Sequence, residues 1–120
     1  MISSLFNYSE NFNPEDVVLE HARARGVEVG ANDISVGTGV FLQQLAHLLF
    51  AQSVVEVGTG SGVGSLYLLR GMIDSGTLTS IDDEIEHARI AKMAFYEAEI
   101  EAARFRLITN PVMEVLSKLT

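Results

Sequence analysis

The glycine-rich segment Gly58-Thr59-Gly60-Ser61-Gly62-Val63-Gly64 is the part of the sequence whose composition most directly suggests chemistry. It follows a short β-branched stretch and precedes an apolar one, which predicts a loop between a strand and a helix. Glycine lets such a loop turn sharply and lets its backbone approach a ligand closely, because there is no Cβ to collide. Alternating glycines also cost chain entropy, so a bound ligand explains them better than a bare turn does.

Three classes of nucleotide ligand compete for a loop of this kind. A phosphate-binding P-loop ends in Gly-Lys-Ser/Thr, and this loop contains no lysine. A dinucleotide fingerprint needs a third glycine where this sequence has Val63 or Ser65, depending on the first glycine counted. S-adenosylmethionine carries a sulfonium and an ammonium group, whose positive charges a carboxylate attracts. The phosphate groups of the other two ligand classes are negatively charged, and a carboxylate repels them. Glu56, two residues before Gly58, supplies that carboxylate and favours the third class.

Asp82 is the second acidic residue of interest, because it ends the next apolar stretch after the glycine loop. In doubly wound α/β folds a carboxylate at the end of the second strand binds the ribose hydroxyls of a nucleotide. A carboxylate only accepts hydrogen bonds, so it suits a pair of hydroxyl donors. A helix cap is the structural alternative, since Asp83 and Glu84 lie at the same corner.

The elements that would position these residues alternate along the chain. Residues 1–12 are polar and predicted to be irregular, and Asn13-Pro14-Glu15-Asp16 predicts a helix start, with Asn13 as cap and Gly26 as the stop after Arg25. The remaining predicted elements are a helix over 37–51, a strand over 53–57, a helix over 65–73, a strand over 77–81, a helix from a cap at Asp83 to 103, a strand over 105–109 and a helix over 111–119. Alternating strands and helices predict a parallel sheet with right-handed crossovers.

The strand over 53–57 raises a question of completeness. A doubly wound sheet continues on the far side of its first strand, and no further unit follows residue 119 in this sequence. That strand would then be an open apolar edge. We expect the chain to be the amino-terminal part of a domain of roughly 200 residues, or to complete its sheet with a second copy. A homodimer through the amino-terminal helices or the sheet edge is the corresponding expectation.

The motifs over 54–62 and 78–82 resemble the first and second motifs of class I S-adenosylmethionine-dependent methyltransferases. The two preceding helices, with Val36-Gly37-Thr38-Gly39 and Phe41-Leu42, resemble the small-molecule O-methyltransferases of the catechol and caffeoyl-coenzyme A type. The resemblance implies an α/β fold, a Rossmann-like doubly wound parallel sheet represented by its first three βα units, with two extra amino-terminal helices. It divides the chain into a helical cap over 1–51 and a cofactor-binding half over 52–120.

The same resemblance implies the site residues. The Ile34 backbone would contact the methionine carboxylate, and Gly64 stands where relatives usually carry serine, so that a hydroxyl contact is missing or moves to Ser65. The full cofactor-binding set is Ile34, Glu56, Gly58, Thr59, Gly60, Ser61, Gly62, Gly64, Asp82, Asp83, Pro111 and Val112. Glu56 and the Gly58-Thr59 backbone would hold the methionyl amino group, Asp82 the ribose, and Asp83 with the Val112 backbone the adenine.

No catalytic residue and no metal ligand are assigned within these residues. Relatives of this type bind a divalent cation through carboxylates and an amide on later strands, which would lie beyond Thr120. The acidic group formed by Asp82, Asp83, Glu84 and Glu86 lacks the spacing of a calcium loop. His21, His47 and His87 are interpreted as solvated or partly packed side chains.

Composition excludes several other functions. A formal charge of −8 and a pI near 4.7 disfavour broad nucleic-acid binding. The sequence contains no cysteine, which excludes disulfides and thiolate metal sites. No apolar stretch approaches the roughly 20 residues of a membrane span, and no secretory signal is visible, so a cytoplasmic location is the default expectation.

Methyl transfer to an oxygen of a small molecule is therefore the leading functional hypothesis. A nicotinamide-dependent oxidoreductase domain and a truncated, non-catalytic nucleotide-binding module remain as alternatives. Methylation of RNA bases is a further possibility that the negative charge disfavours.

Overall fold

The computed structural model describes residues 2–119, and its elements alternate as a parallel α/β fold requires. The helices are α1 (Ile2–Phe12), α2 (Val17–Glu28), α3 (Val36–Leu48), α4 (Val63–Gly71), α5 (Ile85–Glu97) and α6 (Val112–Lys118), with a short 3₁₀ turn over Ala102–Arg104. The strands are β1 (Ser53–Val57), β2 (Thr77–Asp82) and β3 (Phe105–Thr109). β1 and β3 have the predicted bounds, and β2 is one residue longer because Asp82 also pairs.

The three strands form one parallel sheet in the order β1-β2-β3. The register places Glu56 opposite Ser80 and Asp82 opposite Thr109, so polar residues of neighbouring strands meet at one end of the sheet. β2 is central and buries Leu78 and Ile81 completely. The predicted parallel sheet is confirmed.

The main core lies between α4, α5 and the sheet. Its largest fully buried side chains include Leu66, Leu69, Leu78, Ile90 and Phe95. The ring of Phe95 packs against that of Phe105, with centroids 4.7 Å apart. Aromatic contacts of this kind add to the stabilisation from burial.

The prediction for residues 1–12 is wrong for the described part, because Ile2–Phe12 is helical. The apolar residues Ile2, Leu5 and Phe6 have helical spacing. In addition, the Glu10 carboxylate accepts hydrogen bonds from the Val36 and Gly37 N–H groups, at 2.9 and 2.8 Å. The first N–H groups of a helix such as α3 have no acceptor within the helix itself, so an external acceptor with a negative charge is favourable there. α1 thus docks on the amino terminus of α3, a contact that its own sequence does not reveal.

The predicted bounds of α2 are also wrong at both ends. Asp16, not Asn13, is the cap, and its carboxylate accepts from the Leu19 N–H at 3.0 Å. The helix continues through Gly26, where a Cβ would come within 2.3 Å of the Asp33 carboxylate. There is therefore no space for a side chain at position 26, and the glycine does not end the helix. The helix ends close to Gly30, which has φ +73°.

The other helix predictions need smaller corrections. α3 is capped by Ser35 and ends at Leu48, three residues before the predicted end. α4 begins at Val63, closer to the glycine loop than predicted. α5 is preceded by Glu84 instead of being capped by Asp83, and it ends at Glu97. Glu99 then adopts φ +58°, which stops the helix before the predicted end at 103.

One edge of the sheet and one face of α3 stay uncovered. Val55 and Val57 of β1 are 51% and 54% exposed, and β1 has no partner on its outer side among residues 2–119. Phe41 and Leu48 on α3, and Leu49 directly after it, are also exposed. None of the described helices is long and apolar enough to cross a membrane.

Candidate cofactor site

The glycine loop leaves β1 and enters α4 through left-handed backbone. Gly58, Gly60 and Gly62 have φ values of +88°, +56° and +94°, which side-chain-bearing residues adopt only with strain. The Gly58 N–H donates to the Ile81 carbonyl at 2.7 Å, which fixes the start of the loop to β2. These three glycines are thus required by the shape of the turn itself.

Gly64 is needed for space instead. It lies in the first turn of α4, and a Cβ there would approach Glu56 Oε2 to 2.9 Å and Ile34 Cδ1 to 3.5 Å. The structure therefore brings together the α2–α3 loop, the end of β1 and the start of α4. All three predicted residues border the same small space.

The Glu56 carboxylate is surrounded by hydroxyl groups and not by cations. Ser65 Oγ and Ser80 Oγ donate to Oε1 at 2.5 and 2.6 Å. Among the described residues no donor reaches Oε2, and Glu56 forms no ion pair there. Burial raises the pKa of Glu56, the two hydroxyl donors oppose that rise, and the charges of Asp33 and Asp82 add to it. A half-buried carboxylate without a counter-ion attracts a cation.

Asp82 has the opposite environment. Its Oδ1 accepts from the Glu84 N–H at 2.8 Å, and its Oδ2 accepts from the Gly60 N–H at 3.0 Å and lies 3.0 Å from His87 Nδ1. Burial alone would raise the pKa of Asp82, but these hydrogen bonds and the His87 charge outweigh it and hold the pKa below its ordinary value. Asp82 is thus an ionised acceptor that also ties the glycine loop to β2.

Thr59 and Ser61 point into the protein. The Thr59 hydroxyl lies 2.7 Å from Ser80 Oγ. Since Ser80 donates its proton to Glu56, Thr59 donates to Ser80. Ser61 is fully buried, and both its N–H and its hydroxyl donate to Asp33. Both hydroxyls are therefore committed to partners inside the protein.

Three contributors were missed by sequence reasoning. Ser80 is signalled only by being a polar residue in the central strand, opposite Glu56 in the register. Asp33 gave no signal, because its partner Ser61 lies 28 residues away. The His87 side chain is partly packed, as interpreted, but its contact with Asp82 was not predicted: Nδ1 lies 3.0 Å from Asp82 Oδ2. His21 likewise pairs with Glu97, at 2.6 Å.

Asp83, Pro111 and Val112 form a separate corner at the ends of β2 and β3. The Val112 N–H donates to Asp83 Oδ1 at 3.2 Å, and Pro111 precedes α6. The two groups predicted to contact adenine thus contact one another. Throughout residues 2–119, no cluster of three or more histidine or carboxylate side chains could hold a metal ion.

A glycine loop between a parallel strand and a helix, with a carboxylate at the end of the next strand, is typical of Rossmann-like folds. The sequence model of a family described as "O-methyltransferase" matches residues 10–120. The chain belongs to this O-methyltransferase family, and the predicted resemblance is confirmed.

Individual relatives agree. The chain is 47% identical over 116 residues to "Probable O-methyltransferase Rv1220c" of Mycobacterium tuberculosis, covering 97% of this chain and 52% of that protein. A crystal structure of a Corynebacterium glutamicum protein superposes with a TM-score of 0.89 at 31% identity, covering 99% of this chain and 56% of that one. The O-methyltransferase TomG of Streptomyces achromogenes, involved in tomaymycin synthesis and solved with SAM, gives 0.84 at 27% identity, covering 94% and 51%. The chain spans about half the length of the curated relatives it matches.

Proposed function

We propose that this chain binds S-adenosylmethionine and forms the cofactor-binding part of an O-methyltransferase. The observation that carries the proposal is Glu56: a half-buried carboxylate with no cationic partner among residues 2–119, beside a glycine whose missing side chain leaves space. A ligand with an ammonium or sulfonium group would supply the missing charge. A diphosphate would be repelled by the same group.

The remaining contacts follow from the donors and acceptors around that space. The Ile34 N–H has no acceptor among the described residues and is available to the methionine carboxylate. Glu56 and the backbone of Gly58 and Thr59 would hold the ammonium group. Asp82 would accept from a ribose hydroxyl, since Oδ1 has only one protein donor. Gly60, Ser61, Gly62 and Gly64 would shape the loop around these contacts.

The adenine end is proposed to lie near Asp83, Pro111 and Val112. The Val112 N–H already donates to Asp83, so binding of adenine there requires this bond to open or the ring to be held by packing. We further propose that residues 1–51 act as a helical cap and residues 52–120 as the cofactor-binding half.

Bound S-adenosylmethionine supplies a methyl group activated by positive sulfur, and the acceptor is proposed to be a hydroxyl of a small molecule. The residues of this chain contribute by fixing the cofactor, which favours reaction through orientation. A divalent cation is proposed for a full-length enzyme of this type, without ligands from this chain.

A direct binding measurement tests the cofactor. We expect S-adenosylhomocysteine to bind the chain in isothermal titration calorimetry and to raise its melting temperature, while NAD does neither. Cofactor binding without any methyl transfer to hydroxyl acceptors would favour a non-catalytic binding module. Binding of NAD in preference to S-adenosylhomocysteine would contradict the proposal and favour the oxidoreductase alternative.

A homodimer in the cytoplasm is the corresponding proposal for assembly and location. The exposed apolar residues of β1 and α3, together with Phe6 and Phe12 on α1, give a surface suited to a second copy. Sedimentation analysis at micromolar concentration separates a dimer from a monomer, and a stable monomer would contradict the dimer.

A further inference from the structure

The α2–α3 loop is joined to the glycine loop by one side chain. Asp33 Oδ1 accepts from the Ser61 N–H at 3.1 Å, and Asp33 Oδ2 accepts from Ser61 Oγ at 2.6 Å. A two-point contact of this kind fixes both the distance and the orientation between its partners. Ser61 is completely buried, so water cannot replace the carboxylate easily.

Two neighbouring glycines leave the space that this carboxylate occupies. A Cβ on Gly60 would lie 2.6 Å from Asp33 Oδ1, and a Cβ on Gly26 would lie 2.3 Å from Asp33 Oδ2. Asp33 thus occupies a space between α2 and the glycine loop that two glycines leave open. The fit indicates a specific seat for this side chain and not an incidental surface contact.

The next residue along the chain is fixed from the other side. Arg23 Nη1 donates to the Ile34 carbonyl at 2.7 Å, while the rest of the guanidinium binds Glu15 at 2.8 Å through two nitrogens. The Ile34 side chain reaches the start of α4, 3.5 Å from where a Gly64 Cβ would stand. Asp33 and Arg23 therefore hold the Ile34 peptide at the edge of the space beside Glu56.

From this arrangement we infer that Asp33 is a positioning residue for the methionine end of the cofactor. It sets the Ile34 peptide against the glycine loop, so that the Ile34 N–H faces the carboxylate and Glu56 faces the ammonium group of the same methionine moiety. The inference rests on the proposed function. It assigns Asp33 no contact with the ligand, and its effect passes through Ser61 and Ile34.

Two ligands separate positioning from general stability. S-adenosylhomocysteine contains the methionine-derived end, and 5′-methylthioadenosine lacks its ammonium and carboxylate groups but keeps the nucleoside. We expect Asp33→Asn to weaken S-adenosylhomocysteine binding about tenfold, the order of one lost charge-assisted contact. Binding of 5′-methylthioadenosine should change less than about twofold, because Asp82 and the nucleoside end are unaffected.

Ser61→Ala is the matched variant, because it removes the Oγ–Oδ2 bond and leaves the negative charge of Asp33 in place. If Asp33 acts by positioning, Ser61→Ala lowers S-adenosylhomocysteine affinity in the same selective way, and the double variant loses less than the sum of the two. If Asp33 acts only by its charge, Ser61→Ala has no effect, and the inference is wrong.

Equal weakening of both ligands in either variant would also overturn the inference, since it would indicate a merely structural role. Retained binding of 5′-methylthioadenosine shows that a variant is folded at the site. If the wild-type chain binds neither ligand, the proposed function itself is wrong. If the wild-type chain binds both ligands but the variants weaken both equally, only the inference about Asp33 is wrong.

Discussion

Glu56 and Asp82 lie at the ends of neighbouring strands, yet the protein treats their charges in opposite ways. Asp82 receives two backbone N–H groups and the His87 ring, and its pKa is held below the ordinary value despite burial. Glu56 receives two hydroxyl donors and no cation, and burial raises its pKa. The first carboxylate stabilises the fold that surrounds it, whereas the second is kept at a cost in stability.

This difference separates structural from functional roles. A group that stabilises the free protein is explained by the protein alone. A group that destabilises it requires another explanation, and at binding sites this is commonly the ligand. Glu56 thus points more strongly to a ligand than Asp82 does, although Asp82 matches the better-known sequence pattern.

Removing the Asp82 carboxylate should have the largest effect on stability. Asp82→Ala leaves the Gly60 and Glu84 N–H groups without their acceptor, and we expect it to lower the free energy of unfolding by about 2–4 kcal/mol. Urea denaturation followed by circular dichroism measures the change. Glu101→Gln, at an exposed position on the same chain, is the control and should change stability by less than about 0.5 kcal/mol. If Asp82→Ala lowered the free energy of unfolding as little as the control does, Asp82 would not be the stabilising carboxylate that the comparison with Glu56 requires.

Neutralising Glu56 should separate binding from stability. We expect Glu56→Gln to weaken S-adenosylhomocysteine by about 2 kcal/mol, roughly thirtyfold, through the lost ammonium partner. The same change should leave the free protein as stable as before or more stable at neutral pH, because a half-buried charge without a cationic partner disappears. Calorimetric titration and urea denaturation of one preparation give both quantities. Unchanged affinity, or a large loss of stability, would place Glu56 in the same structural role as Asp82.

The parts of this picture that the sequence predicts are those set by local chemistry. β1 and β3 are bounded by glycine and polar residues and have the expected ends. The glycine loop, Glu56 and Asp82 fall where strand-to-helix alternation puts them. Each of these follows from residues that are close together in the chain.

The parts that it does not predict depend on distant partners. Glu10 of α1 contacts the first N–H groups of α3, and Gly26 lies inside α2 where a side chain would collide with Asp33. The Asp33–Ser61 contact joins residues 28 positions apart. Neither composition nor periodicity carries such information, and only the assembled fold reveals it.

The dependence of stability on pH should show the contrast directly, as the smallest of these effects. The folded-state pKa of Glu56 lies above its ordinary value of 4.5, so the folded protein binds more protons there than the unfolded chain. The contribution of Glu56 to the stability of the folded protein therefore declines as the pH rises from its ordinary pKa through its raised folded-state pKa. Asp82 has a folded-state pKa below its ordinary 3.8, so its contribution is present above that value and lost on acidification through the lowered one.

Urea denaturation from about pH 3 to pH 8 should therefore give two opposite difference curves. The gain in stability of Glu56→Gln over the wild-type chain grows with rising pH, and the loss in Asp82→Asn shrinks as the pH falls. Ser65→Ala sharpens the first curve, because removing one donor to Glu56 raises the pKa of that carboxyl further and moves the change to higher pH. If the stability changes caused by Glu56→Gln and Asp82→Asn varied with pH in the same direction, the pKa values of the two carboxylates would not be shifted in opposite directions. The comparison between them would then be wrong.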